Sequence, residues 1–129
     1  MLDQSSIANS WCAWHNYTWV GNSPISYTSM PNLAHRGATC GANKVHAGPA
    51  GCLDGVSILA GHEFAESLTD PFLNAWTDPS GDENGDKCPQ WASSGCLRNV
   101  VFSTGTFAVQ PQWSNYALQT AGTGCVFWS

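Results

Sequence analysis

The chain has 129 residues, room for one ordinary domain and not for two. Hydrophobic residues make up 43% of it, enough for a packed core, while charged residues make up only 10%, against roughly 25% in an average soluble domain. Four basic side chains against nine acidic ones give a formal net charge of -5, which argues against a phosphate-tracking nucleic-acid binder and against a polybasic membrane patch.

No apolar run approaches the roughly 18 residues of a membrane span. The opening residues, MLDQSSIANS, lack the basic start and apolar centre of a secretory leader. Weak charge and six cysteines nevertheless point to a secreted, extracellular protein with a disulfide framework. On that reading the chain is a mature piece or a trimmed form, with Met1 an added start. No two of Cys12, Cys40, Cys52, Cys88, Cys96 and Cys125 have zinc-ribbon spacing. Three disulfides are expected. One connectivity pairs Cys40 with Cys52, Cys88 with Cys96 and Cys12 with Cys125. The other pairs Cys12 with Cys40, Cys88 with Cys125 and Cys52 with Cys96.

Residues 1–52 are rich in Gly, Asn, Ser, Pro and aromatics and show no helical period. Residues 17–20 suit a strand, and the rest reads as disulfide-pinned loop. The stretch LDGVSILAGHEFAESLTDP predicts a helix, with Asp54 as its N-cap. Val56, Ala60, Phe64 and Leu68, widened by Leu59, form the apolar row expected to face the core. Pro71 stops the helix near Leu68 or Thr69. Gly61 weakens it by about 1 kcal/mol relative to Ala and is read as a point of close backbone approach. Residues 70–88 form a loop dense in acids, with Asp70, Asp78, Asp82, Glu83 and Asp86. Residues 99–103 and 106–110 read as a hairpin joined at Thr104-Gly105, and a last short strand is expected near Cys125. The fold class is α+β: a single small disulfide-stapled domain over residues 1–129, with one central metal-bearing helix, short antiparallel strands and long loops.

Gly61-His62-Glu63-Phe64-Ala65-Glu66 holds an H-E-x-x-E motif on that helix. Residues four apart share a face, so His62 and Glu66 can grip one cation. Glu63 lies beside them, as the general base does in the H-E-x-x-H zinc helix. A catalytic zinc needs a third protein ligand and an open position. Glu83 is the preferred third ligand, then Asp86, then Asp70, which lies two turns beyond His62. The acidic loop has a competing reading as a calcium site, although it does not match an EF-hand. The plainer alternatives are a solvated loop and a polar helix face turned to water. His15, His35 and His46 are reserve imidazoles. No G-x-S-x-G elbow supports a serine nucleophile. Of the seven tryptophans, most are expected to pack in the interior, while Trp76, inside the acidic loop, is assigned to substrate contact.

GHEFAESLTDP followed by NAWTDPSGDENGDKC resembles a group of secreted bacterial proteins with H-E-x-A-E-x-x-T-D-P and a later E-N-G-D-K-C stretch. WCAWHNYT is similar to their C-A-Y-H segment and GTFAVQPQWSN to their F-A-V-Q-x-x-W-S-N. More distantly, the helix and loop resemble plant phosphate-induced, Exordium-like proteins. The likeness runs from about Trp11 to Cys125. It implies a zinc-metallopeptidase-like protein and marks His62, Glu63, Glu66, Asp70, Glu83, Asp86 and Cys88. Those proteins carry a further N-terminal region, so the resemblance implies that this chain is the C-terminal part of a longer precursor. Cys52 and Cys96 lie outside the usual set, which favours pairing them together.

The expected function is a secreted zinc-dependent endopeptidase acting on extracellular polypeptides, with Glu63 as general base. The alternative is a non-catalytic carbohydrate- or wall-binding module with a structural cation.

Overall fold

A computed structural model describes residues 11–88 and 96–127. Trp91 and Trp128 lie outside the described residues. The chain opens with an antiparallel hairpin, β1 (Trp14–Val20) and β2 (Ser23–Ser29). Gly21, at φ +61°, is the first of two turn residues, where a positive φ matches the twist of the strands. β1 starts three residues before the strand expected over residues 17–20. Trp14 stacks edge-on against Trp11 and Tyr27, with ring centroids 5.9 and 5.7 Å apart, which anchors that end. Three short 3-10 turns then lead into α1 (Asp54–Thr69). A second hairpin follows, β3 (Arg98–Phe102) with β4 (Gly105–Val109), each strand starting one residue earlier than expected. β5 (Gln112–Trp113) pairs with β6 (Cys125–Val126), and α2 (Asn115–Ala121) lies between them.

The α+β class stands: one principal helix, short antiparallel strands and disulfides. α2 was not anticipated. It is short, buries no residue, and depends on local signals at its ends. The Ser114 side chain accepts from the Ala117 amide at 3.2 Å, and Gly122 at φ 73° closes it. Among the described residues, no helix is long and apolar enough to cross a membrane.

Two disulfides pin the fold, Cys12–Cys40 and Cys88–Cys125. They correct the connectivity that paired Cys40 with Cys52, Cys88 with Cys96 and Cys12 with Cys125. The third bridge is not formed. Cys52 is exposed on a 3-10 turn (Gly48–Leu53) with its thiol directed at the Gly48 carbonyl, 3.9 Å away, and half-buried Cys96 is not bonded to it.

α1 packs chiefly on β4 and on the first hairpin. Its end at Thr69 is where Pro71 places it. Its orientation is not the expected one. The buried positions are Asp54, Gly55, Ile58, Leu59, His62, Glu63 and Glu66, while Phe64 and Leu68 are 64% and 67% exposed. The physical reason lies in the spacing. Residues strictly four apart drift around a helix of 3.6 residues per turn. Residues 55, 58, 59, 62, 63 and 66 stay on one face, so Ile58 and Leu59 carry the motif inward with them. Gly61 meets nothing within 4 Å of where a Cβ would stand, so it is not a point of close approach. Gly55 is: a Cβ there would lie 1.9 Å from the Cys40 carbonyl oxygen. The apolar core beside it is small, with Leu33, Cys40 and Leu59 packed against Cys12 and Ala13.

Asp54 does not cap the helix with its side chain. Its carboxylate faces back to the preceding loop, accepting from the amides of Val45 and His46 at 2.8 Å and touching His46 Nδ1 at 2.6 Å. Asn99 Nδ2, 2.8 Å from His46 Nε2, donates to that nitrogen, so His46 gives its Nδ1 proton to Asp54. Burial alone would raise the Asp54 carboxyl, but the His46 side chain and the two amides outweigh it and hold it below its ordinary value. A depressed carboxyl stabilises the fold above the unfolded pKa, about 3.9, and that contribution is lost as pH falls through the folded value. Asp54→Asn should therefore lower stability at pH 7 by about 1–3 kcal/mol. In denaturation midpoints followed from pH 7 to pH 2, the gap to the parent protein should close below about pH 4. A gap that does not change with pH would contradict this role for Asp54.

Candidate metal centre

Among the described residues, buried polar and charged side chains outnumber buried apolar ones, and they gather on the inner face of α1. Such burial is unfavourable unless the groups find partners. α1 contributes His62, Glu63 and Glu66, β1 contributes His15, and the acidic loop contributes Glu83 and Asp86. Two groups of three ligand atoms result, His62–Glu66–Asp86 and His15–Glu66–Glu83, each with its atoms within 4.8 Å of one another. His62 Nε2 lies 2.9 Å from Glu66 Oε1 and 3.5 Å from Asp86 Oδ1. His15 Nε2 lies 3.1 Å from both oxygens of Glu83 and 4.0 Å from Glu66 Oε2. Glu66 is buried, whereas the Asp86 side chain is 45% exposed, so the first group reaches solvent on one side.

The acidic loop is held in place by its own chemistry. Asp70 accepts from the amides of Asn74 and Ala75 at 2.6 and 2.7 Å, which fixes the exit from α1. Asp78 accepts from the amides of Ser80 and Asp82, and its other oxygen pairs with the Lys87 ammonium at 2.6 Å. That ion pair, with the amide bonds, holds Asp78 below its ordinary pKa. Lys87 also sits over the Trp113 ring, and the Trp113 amide donates to the Asn84 carbonyl at 3.0 Å. Cys88–Cys125 ties down the far end. At the centre is Gly85, where a Cβ would stand 2.7 Å from His62 Nδ1 and 2.8 Å from Glu66 Oε1. Only glycine lets the loop backbone lie directly on the two motif residues.

Gln110, just beyond β4, orients His62. Its Nε2 donates to the Gly85 carbonyl at 3.0 Å and approaches that of Pro111 at 3.4 Å, so its oxygen is the acceptor. His62 Nδ1, 3.3 Å from that oxygen, must carry the proton, and Nε2 is aimed at Glu66 and Asp86. This is the arrangement expected around a metal-binding imidazole.

The electrostatics reflect crowding. Burial pushes Glu63 up to about 7, with His62 and His15 opposing the shift and Glu66 and Asp86 reinforcing it. Burial would lower His62, but its contact with Glu66 and the charges of Glu66, Glu63 and Asp86 outweigh that and raise it. Burial raises Glu83 too, against the pull of His15. Glu63 Oε2 and His15 Nδ1 are buried with no hydrogen-bond partner among the described residues. Glu66 Oε1 has its ion-pair contact with His62 but no aligned hydrogen bond. Donors of this type fit a borderline cation such as zinc, which accepts imidazole nitrogen and carboxylate oxygen together.

The structure thus brings together His62, Glu66, Glu83 and Asp86, and it places Glu83 and Asp86 against different imidazoles. Asp70 is committed to loop amides. Trp76 is half-buried in the loop and is not among the residues lining an apolar cavity beside α1. That cavity, about 410 Å³, has walls of Phe64, Leu68, Phe102 and Phe127, and Gln110 joins it to the site. His35 is exposed and His46 serves Asp54. Sequence reasoning ranked His15 no higher than these two. Its signal is the WCAWHNYT segment, in which His15 is the one buried strand residue of β1. Gln110 gave no signal, since a carboxamide at a strand end is unremarkable until its neighbours are known.

Gly85→Ala should displace the loop and weaken zinc binding by about 10–100-fold, the range seen when a ligand's supporting contacts are lost. Zinc titration calorimetry on the folded variant checks this, and unchanged affinity would show that the loop does not close on His62 and Glu66. Set against family models, curated proteins and solved structures, the chain matches none, so the reading of the site rests on its geometry.

Proposed function

We propose that this protein is a secreted zinc-dependent endopeptidase whose reaction is centred on Glu63. The observation that carries the proposal is a glutamate buried to 3% exposure, with one carboxylate oxygen unpartnered, beside a His–Glu–Asp ligand group open to solvent at Asp86. A purely structural site has no need of an additional buried, unpartnered carboxylate. Two disulfides are compatible with an extracellular setting.

Zinc held by His62 Nε2, Glu66 and Asp86 would supply a Lewis acid for water and for a peptide carbonyl. Glu63 takes a proton at Oε2 and returns it to the departing amine, as a general base and then a general acid. Gln110 fixes the imidazole, and Gly85 admits the loop that brings in Asp86. The wall of Phe64, Leu68, Phe102 and Phe127 suits an apolar substrate side chain.

Glu63→Gln keeps the size of the side chain but removes the base. Turnover of an unfolded protein substrate should fall by roughly 10²–10⁴-fold. Zinc content and melting temperature should stay near those of the parent. Glu66→Gln should lose metal and activity together. Full activity in Glu63→Gln would overturn the mechanism. Zinc binding without any hydrolysis by the parent would favour a wall- or carbohydrate-binding module with a structural cation.

A further inference from the structure

We infer that the centre holds two cations, not one, with the Glu66 carboxylate bridging them: the first at His62–Glu66–Asp86, the second at His15–Glu66–Glu83. This rests on the metal-binding reading above and extends it to a second ion, a new ligand pair and an order of loading.

The two groups share Glu66 and no other residue. They use its two oxygens separately, Oε1 toward His62 and Oε2 toward His15. A tetrahedral ion with bonds of about 2.0–2.1 Å needs its ligand atoms about 3.3–3.4 Å apart. The measured separations bracket that value on both sides of Glu66. They are 2.9 and 3.5 Å around His62, and 3.1 and 4.0 Å around His15. A carboxylate using one oxygen for each ion suits the spacing of about 3.5–4 Å found in two-metal hydrolytic sites.

Charge points the same way. The ligand carboxylates Glu66, Glu83 and Asp86 crowd around two imidazoles that must be neutral to act as ligands, and one dication does not balance the three. Glu66, 3% exposed, and Glu63, also 3% exposed, each keep one oxygen without an aligned hydrogen bond among the described residues. Glu83 presents both oxygens symmetrically to His15 Nε2, at 3.1 Å each, a pose suited to an ion placed between them.

The two positions are not equivalent. His62 has Gln110 on its far nitrogen, while His15 Nδ1 is buried with no partner among the described residues. A metal-binding imidazole without such support binds about 10–100-fold more weakly. The His62 position therefore fills first.

The test uses the full chain, stripped with chelator and checked for native circular dichroism, and titrated with zinc alone. Two equivalents should bind, the second about 10–100-fold more weakly. His15→Asn and Glu83→Gln should each lose the weaker equivalent and keep the tighter one. Glu83→Gln guards against misfolding, because Glu83 lies on a loop and is less buried than His15. In the parent loaded with cobalt(II), the electron paramagnetic signal per cobalt should fall as the second equivalent couples to the first through Glu66. Saturation at one equivalent would overturn the second site and leave the single-ion reading intact. A second equivalent that survives both variants, or shows no coupling, would place that ion elsewhere and also overturn it. No binding at all would overturn both readings.

Discussion

Burying Glu66 between two imidazoles is the constraint on which the rest of this fold depends. A carboxylate removed from water needs opposite charge or donors close by, and the alternative costs several kcal/mol. The chain meets part of this need itself, with His15 from β1 and His62 from the preceding turn of α1. The acidic loop closes over them and adds Glu83 and Asp86, whose like charges sharpen the demand for a cation. The apolar core is correspondingly small, and covalent ties stand where a larger protein would use packing. Cys12–Cys40 fixes the strand that carries His15, and Cys88–Cys125 fixes the loop that carries Glu83 and Asp86.

The inward turn of the polar face has an outward consequence. Phe64 and Leu68 are left on the exposed side of α1, where they meet Phe102 and Phe127 as the wall of a cavity. Gln110 is part of that wall and also the partner of His62. A side chain seated in the cavity would thus lie one residue away from the proposed reacting centre. This links the two features that a hydrolase of unfolded polypeptide needs, an apolar recognition surface and a general base.

Local features were legible in the sequence and distant ones were not. The end of α1 followed from Pro71, the second hairpin from its β-branched run, and the shared face of His62 and Glu66 from helical spacing alone. Glu83 and Asp86 were reachable because the loop after α1 is dense in acids and long enough to fold back over the helix face. The inward face of α1 was misjudged because a strict spacing of four looked more apolar than the drifting set that includes Ile58 and Leu59. Asp54 has the residue type of an N-cap, yet its carboxylate serves Val45 and His46. His15, on β1, and Gln110, just beyond β4, lie 47 residues before and 48 residues after His62, and no local pattern reports such a meeting. The failure of Cys52 and Cys96 to pair has the same origin, since an even count does not say which thiols approach.

The most direct test of the central claim, that the buried face of α1 is a metal centre, is X-ray absorption at the zinc edge on the zinc-loaded protein. The account predicts a first shell of nitrogen and oxygen at about 2.0–2.1 Å, with the outer-shell scattering of imidazole and no sulfur near 2.3 Å. A sulfur shell, pointing to Cys52 or Cys96, or a shell without imidazole, would contradict it.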